Sequence, residues 1–173
     1  MKRISITVWF IVLAGCEQSG SVDQSAADFT ATVVKIIDGD TIDVLNEANE
    51  TIRIRLNAID CPERGQPFGD NATEFVSDTI GEASVRVVPK ELDRYGRTIA
   101  DVYLGSSFEL WLNQELVQAG LAWHYKRYSD DARLAESELI ARERVAGLWS
   151  SSHGAIAPWE WRGMSADERD EYR

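Results

Sequence analysis

The chain has 173 residues, two cysteines and a formal net charge of −11. That length suits a single core, and so few cysteines exclude a disulfide-built scaffold. An acidic chain repels polyanions at long range. A basic coat that gathers nucleic acid by bulk charge is therefore excluded, and any such ligand must find positive charge locally.

Met1, Lys2 and Arg3 make a short basic start, followed by an apolar run that includes Trp9, Phe10, Ile11, Val12 and Leu13. The run is shorter than the roughly 20 apolar residues of a spanning helix and matches a secretory segment. It ends in LAGC at 13–16, which resembles the lipobox of bacterial lipoproteins. The resemblance implies a signal peptide over 1–15 and a lipid on Cys16. The mature chain would be exported and anchored to a bacterial membrane, facing the periplasm or the exterior. Cleavage removes Lys2, Arg3 and no acid, so the mature charge becomes −13 and Cys61 is the remaining thiol. Residues 16–29 are polar, rich in small side chains and without period, which predicts a flexible tether. Residues 30–162 are expected to form one domain, and 163–173 a polar tail that frays in solvent.

Within the domain, TATVVKII (30–37) and TIDVLN (41–46) are β-branched runs separated by a tight DGD at 38–40. In TIRIRLNAI (51–59), Ile52, Ile54 and Leu56 alternate with Arg53, Arg55 and Asn57, the period of a strand with one apolar face. SVRVVP (84–89) and TIADVYL (98–104) supply a fourth and a fifth strand. Helical spacing predicts a helix over 71–80 closed by Gly81, and one over 108–119 with Leu112, Leu116 and Ala119 on one face before Gly120. A third, over 132–146, follows the cap candidates Asp130 and Asp131 and counts Leu134, Leu139, Val145 and Leu148 among its apolar positions. Five short strands, tight turns and three helices predict an α+β fold, a small curved barrel with helices packed on it.

Three segments carry chemistry: DGDT (38–41), RLNAIDCPE (55–63) and DRYGR (93–97). Singly, each is an ordinary turn or strand end. Together they gather Asp40 and Asp60, hard oxygen donors suited to a cation such as Ca²⁺, and Glu63, a candidate base for a water. Arg55 and Arg97 add planar forks that match phosphate oxygens. A hard cation, a base and two arginines are what phosphodiester hydrolysis needs.

In this order IIDGDTIDV, RLNAIDCPE and DRYGR resemble the motifs of the staphylococcal nuclease (thermonuclease) family. The likeness runs over about residues 31–162, with LVQAGLAWHY, GLW and PWEWR further along. It implies a five-stranded OB-fold barrel with three helices, a monomer, and Ca²⁺-dependent endonucleolytic cleavage of DNA and RNA. Single-stranded or locally unpaired substrate is favoured, and the products carry 3′-phosphates. By the same resemblance Arg55, Glu63 and Arg97 are catalytic, and Ca²⁺ is held by Asp40, Asp60 and the backbone carbonyl of Cys61. Arg94, Tyr125 and Tyr128 are candidate substrate contacts, the tyrosines serving either to stack on a base or as amphipathic loop anchors. Asp38 belongs behind Asp40 or shapes its turn.

The chain departs from the family pattern in two places. Cys61 stands where the secreted enzymes have threonine, which matters little if only the carbonyl binds metal. The loop RGQPFGD (64–70) lacks a lysine cluster, which predicts weaker and more salt-sensitive substrate capture. Trp123, Trp149, Trp159 and Trp161 read as core or tail-docking residues, and His124 and His153 as structural. The alternative function is a non-catalytic OB-fold module that binds nucleic acid or a protein. The joint presence of Arg55, Glu63 and Arg97 favours hydrolysis, because a pure binder has no use for all three.

Overall fold

A computed structural model describes residues 27–172. The signal peptide, Cys16 and most of the tether lie outside the described residues. Among the described residues no helix is long and apolar enough to cross a membrane.

The chain begins with a meander of β1 (Phe29–Asp38), β2 (Thr41–Asn46) and β3 (Thr51–Leu56), all antiparallel neighbours. After α1 (Gly69–Ile80), β5 (Ser84–Leu92) pairs with β1 and β6 (Thr98–Leu104) pairs with β5. The sheet then closes on itself. β6 lies parallel to β3, with Ile54 opposite Thr98, Arg55 opposite Ile99 and Leu56 opposite Ala100. Closure leaves no long free edge among these five strands. The result is the α+β OB-fold barrel that the motifs imply.

Strand alternation fills the barrel. Val33, Ile42, Val44, Ile54, Leu56, Val85, Val87, Ala100 and Val102 are all at most 1% exposed. Burying a branched side chain of this size contributes about 1.5–3 kcal/mol each. α1 lays Ala72, Val76 and Ile80, spaced by four, against this core. α2 (Leu112–Gln118) adds Leu112, Leu116 and Val117, and α3 (Ala132–Glu143) adds Leu134 and Ala141.

Several elements differ from the sequence expectation, each for a local reason. The third strand stops at Leu56, because Ala58 takes a left-handed φ of 65° and turns the chain. The next residues form a separate short strand, β4 (Ile59–Asp60), which pairs with β8 (Trp123–His124). The helix expected from 108 begins at Leu112, since Phe108 has φ 54° and Leu110–Trp111 form a short strand, β7, antiparallel to β6. α3 ends at Glu143, ahead of the left-handed Val145 and Gly147. Leu139 and Val145 face solvent at 56% and 58% exposure, and the buried face instead carries Ser137 and Glu138. The buried Glu138 is neutralised by Lys126 at 2.5 Å and Arg142 at 3.2 Å. Beyond the three main helices come a 3₁₀ turn (Gly147–Ser150), α4 (Pro158–Trp161) and α5 (Ala166–Asp170). The described part of the C-terminal segment carries structure of its own. Ser165 caps α5, and Arg169 Nε donates to the Trp161 carbonyl at 3.1 Å.

Asn113, fully buried, ties α2 to the barrel. Its Oδ1 accepts from the Val102 N–H at 3.1 Å, and its Nδ2 donates to the Asn57 carbonyl at 2.9 Å. Asn113→Ala should lower stability by about 1–3 kcal/mol for each group left unpaired, read as a lower urea midpoint at unchanged slope. A midpoint equal to wild type would show that the amide is not a strut. The buried Cys61 thiol has its pKa pushed well above the ordinary value by burial, with the Asp40 charge adding to it. It should therefore stay neutral at mildly alkaline pH. Iodoacetamide should spare Cys61 in the native chain and modify it in urea, and equal labelling in both states would contradict this placement.

Candidate active site

The hairpin turn between β1 and β2 sets the first carboxylate. Asp38 Oδ1 accepts the Asp40 N–H at 3.1 Å, closing an Asx turn around Gly39. Asp38 thus shapes the turn, and burial together with the Asp40 charge raises its carboxyl pKa. A Cβ on Gly39 would lie 2.7 Å from the Ala72 Cβ, so only glycine lets this turn press against α1. Asp40, 7% exposed, then reaches inward. Its Oδ2 accepts the Cys61 N–H at 2.8 Å, its Oδ1 accepts from the Thr41 hydroxyl at 3.2 Å, and its carbonyl accepts the Leu56 N–H at 2.8 Å.

Asp60 arrives from the other side on β4, with no solvent exposure. The break at Ala58 puts it there. A continuous strand would have alternated it with Ile59 along the barrel wall. Arg55 joins the two acids. Its Nη2 lies 2.9 Å from Asp60 Oδ1 and 3.1 Å from Asp40 Oδ2, while Nη1 donates to the Leu56 and Ile59 carbonyls at 2.7 and 2.9 Å. Burial alone would weaken the charge on Arg55, but Asp40 and Asp60 hold its pKa above the ordinary value. Burial pushes the Asp60 carboxyl up, against the pull of Arg162 and Arg55.

Glu63 lies three residues on, its side chain 41% exposed. Gln66 builds its turn. Gln66 Oε1 accepts the Glu63 N–H at 2.9 Å, the Gln66 N–H donates back to the Glu63 carbonyl at 2.9 Å, and Gln66 Nε2 donates to the Ile156 carbonyl at 2.8 Å. A Cβ on Gly69 would fall 2.2 Å from the Glu63 carbonyl oxygen, so α1 can start this close only at a glycine. The Glu63 carboxylate itself accepts from Arg162 Nε at 2.6 Å, and Arg162 Nη2 donates to Asp60 Oδ1 at 2.8 Å. Burial alone would lower the Arg162 pKa, and the Asp60 and Glu63 carboxylates raise it instead.

The structure therefore brings together Asp40, Arg55, Asp60, Cys61 and Glu63. Arg97 stands one residue before Thr98, the partner of Ile54, and so enters beside the strand that carries Arg55. Its hydrogen bonds all go to Asp93, through its backbone N–H at 2.9 Å and its Nε at 2.7 Å. No hydrogen bond or ion pair joins it to Glu63, Asp40 or Asp60 among the described residues. Arg94 sits at the same hairpin, donating to the Tyr95 hydroxyl at 2.7 Å. Tyr125 donates its N–H to the Ala58 carbonyl at 2.8 Å, next to the turn that delivers Asp60. Its ring stacks on Trp159 at 5.0 Å and meets Tyr128 edge-on at 4.8 Å, beside a groove of about 330 Å³ also lined by Trp123 and Arg142. Trp159 and Arg162 share one short stretch of chain, so the tyrosine pair and the acidic cluster have a common neighbour.

A hard cation fits this donor set. Asp60 Oδ2 is buried with no hydrogen-bond partner among the described residues, an orphan acceptor. It belongs to the same carboxylate whose other oxygen meets two arginines, and Asp40 converges on the same Nη2 atom. No cluster of three or more His, Cys, Asp or Glu side chains is placed to bind metal among the described residues. Two carboxylates are the side-chain share, and carbonyl, water or phosphate oxygens would complete the ligand shell, as hard cations accept.

Sequence reading missed Arg162. It lies in PWEWR, a segment that adds to the family likeness but in which no site role was given to the arginine. Its partners are 99 and 102 residues away, so no local spacing announces it.

The family description "Staphylococcal nuclease homologue" matches residues 53–151. A "Micrococcal nuclease" of Shigella flexneri is 46% identical over 147 residues, spanning 80% of this chain and 83% of that protein. An "Uncharacterized endonuclease" of Haemophilus influenzae is 37% identical over 158 residues, spanning 91% and 82%. A staphylococcal-like nuclease of Arabidopsis thaliana is 39% identical over 110 residues, which is 64% of this chain and 33% of the plant protein. With the closed barrel and the Asp40–Arg55–Asp60 cluster in place, these likenesses show that the chain belongs to the staphylococcal nuclease family.

Proposed function

We propose that this protein is a Ca²⁺-dependent endonuclease that hydrolyses DNA and RNA to products with 3′-phosphates, working outside the cytoplasm on a lipid carried by Cys16. The observation that carries this reading is the convergence of Asp40 and Asp60 on Arg55, with a buried unpartnered Asp60 oxygen and Glu63 at the rim. Kinship with nucleases and endonucleases supports the same reaction class.

Asp40, Asp60 and the Cys61 carbonyl would hold Ca²⁺, which supplies positive charge against the phosphate oxygens. The chain's own groups do the rest. Glu63 takes a proton from a water as its oxygen attacks phosphorus. The bond from phosphorus to the 5′-oxygen breaks, the phosphate stays on the 3′ side, and a proton ends on the departing 5′-hydroxyl. Arg55 is locked into the barrel wall by four hydrogen bonds or ion pairs, so its charge is fixed before substrate arrives and needs no reorganisation. Arg97, oriented by Asp93 at the start of β6, takes the leaving-oxygen side. Tyr128, 67% exposed and braced by Tyr125, which is itself stacked on Trp159, would offer a ring to a splayed base, which favours single-stranded or locally unpaired substrate.

The full-length chain is expected to cleave denatured DNA with Ca²⁺ and to stop when a chelator is added. Glu63→Gln should lower the rate by about 10²- to 10⁴-fold without changing the fold. Wild-type rates in Glu63→Gln, or indifference to chelator, would sink this mechanism. For the anchor, palmitate labelling of the producing bacterium should mark the wild-type chain and not Cys16→Ser. Label retained by the variant would remove the lipid from Cys16.

A further inference from the structure

We infer that Arg162 is a positioning residue of the hydrolytic site, fixing the Glu63 carboxylate relative to Asp60. This rests on the reading of Glu63 as the base. Arg162 lies beyond residues 53–151, the stretch that matches the family description.

Three observations carry the inference. The first is the fork itself. Nε donates to Glu63 Oε1 at 2.6 Å and Nη2 to Asp60 Oδ1 at 2.8 Å, so one planar guanidinium spans two carboxylates given different work. A fork with a fixed donor spacing sets the separation of its acceptors, which a single ammonium cannot do. The second is the mount. Arg162 directly follows α4, where Ala157, Pro158 and Trp161 are buried and Trp159 is stacked on Tyr125. Ile156, just ahead, accepts from the Gln66 amide that also holds the Glu63 backbone. The C-terminal segment thus grips Glu63 at main chain and side chain alike. The third is need. Glu63 is a long, part-exposed side chain whose carboxylate contact in the described residues is Arg162. Without that contact its rotamers would scatter, and misplacement of a reacting group by about 1 Å can cost about 100-fold in rate.

The charge of Arg162 has a second, opposite effect. It sits 2.8 Å from Asp60 Oδ1 and so repels a cation at that carboxylate. Removing it should impair hydrolysis and tighten Ca²⁺ binding together. A loss of structure would weaken both.

The test uses the full-length chain, with Ca²⁺ affinity by titration calorimetry and kcat and KM on denatured DNA at saturating Ca²⁺. In Arg162→Ala, kcat should fall about 10- to 100-fold with KM nearly unchanged, while Ca²⁺ binds more tightly than in wild type. Arg162→Lys restores the charge without the fork, so it should return Ca²⁺ affinity to the wild-type value and leave kcat depressed. In a Glu63→Gln background, Arg162→Ala should cost nothing further, because its effect passes through Glu63. Unchanged or raised kcat in Arg162→Ala, a parallel loss of kcat and Ca²⁺ affinity, or full multiplication of the two losses would each overturn the inference. Circular dichroism melting of each variant checks that the barrel persists. If Glu63→Gln is itself fully active, the reading of the site fails along with the inference. If Glu63→Gln is inactive and Arg162→Ala is not, only the inference fails.

Discussion

Burial of the Arg55 guanidinium is the constraint around which this molecule is organised. A cation inside a barrel wall is costly unless every donor is met and the charge is balanced. Here two carbonyls take one nitrogen and two carboxylates share the other. Meeting that demand requires Asp40 to arrive from the β1–β2 turn and Asp60 from a strand broken away from β3. The interrupted pairing at Ala58, the glycine under Asp40 and the β4–β8 ribbon all serve one packing problem. The same solution leaves two acids close together and one buried oxygen of Asp60 without a hydrogen-bond partner, an acceptor that suits a cation.

Local periodicity made most of the barrel legible. The second and fifth strands coincide with their β-branched runs at Thr41–Asn46 and Thr98–Leu104, because alternation and flanking turns point to the same state. Asp40, Arg55, Asp60 and Glu63 could be named together because their segments match, in order, the motifs of one family, and the structure brings them together. What failed to show in the sequence depends on tertiary context. The end of β3 is set by the left-handed Ala58, which no propensity favours. The buried face of α3 is set by Glu138, an acid admitted to the interior by Lys126 and Arg142, so Leu139 is displaced to solvent. Arg162 was hidden by distance along the chain.

Charge distribution explains how an acidic chain can still hold a polyanion. The repulsion of the surface acts at range and is screened by salt. The attraction is confined to a few guanidinium groups held within hydrogen-bonding distance of fixed partners. Arg55 is rigid and Arg97 is tethered within its hairpin by Asp93, whereas Arg162 is engaged by Glu63 and Asp60. Arg55 and Arg97 each trade mobility for direction, which suits recognition of a phosphate over accumulation of a whole strand.

The contact between Glu63 and Arg162 also imposes an order on biosynthesis. A chain emerging from the ribosome presents Asp40, Arg55, Asp60 and Glu63 long before Arg162 has been translated. Throughout that interval the carboxylate pair lacks its bridging arginine, however early the barrel closes. In a member of a nuclease family, a site whose bridging arginine is made 99 and 102 residues after its carboxylates stays incomplete through that stretch of synthesis. The residue that joins Glu63 to Asp60 thus comes from a separate, later segment, so the second motif is completed from outside itself.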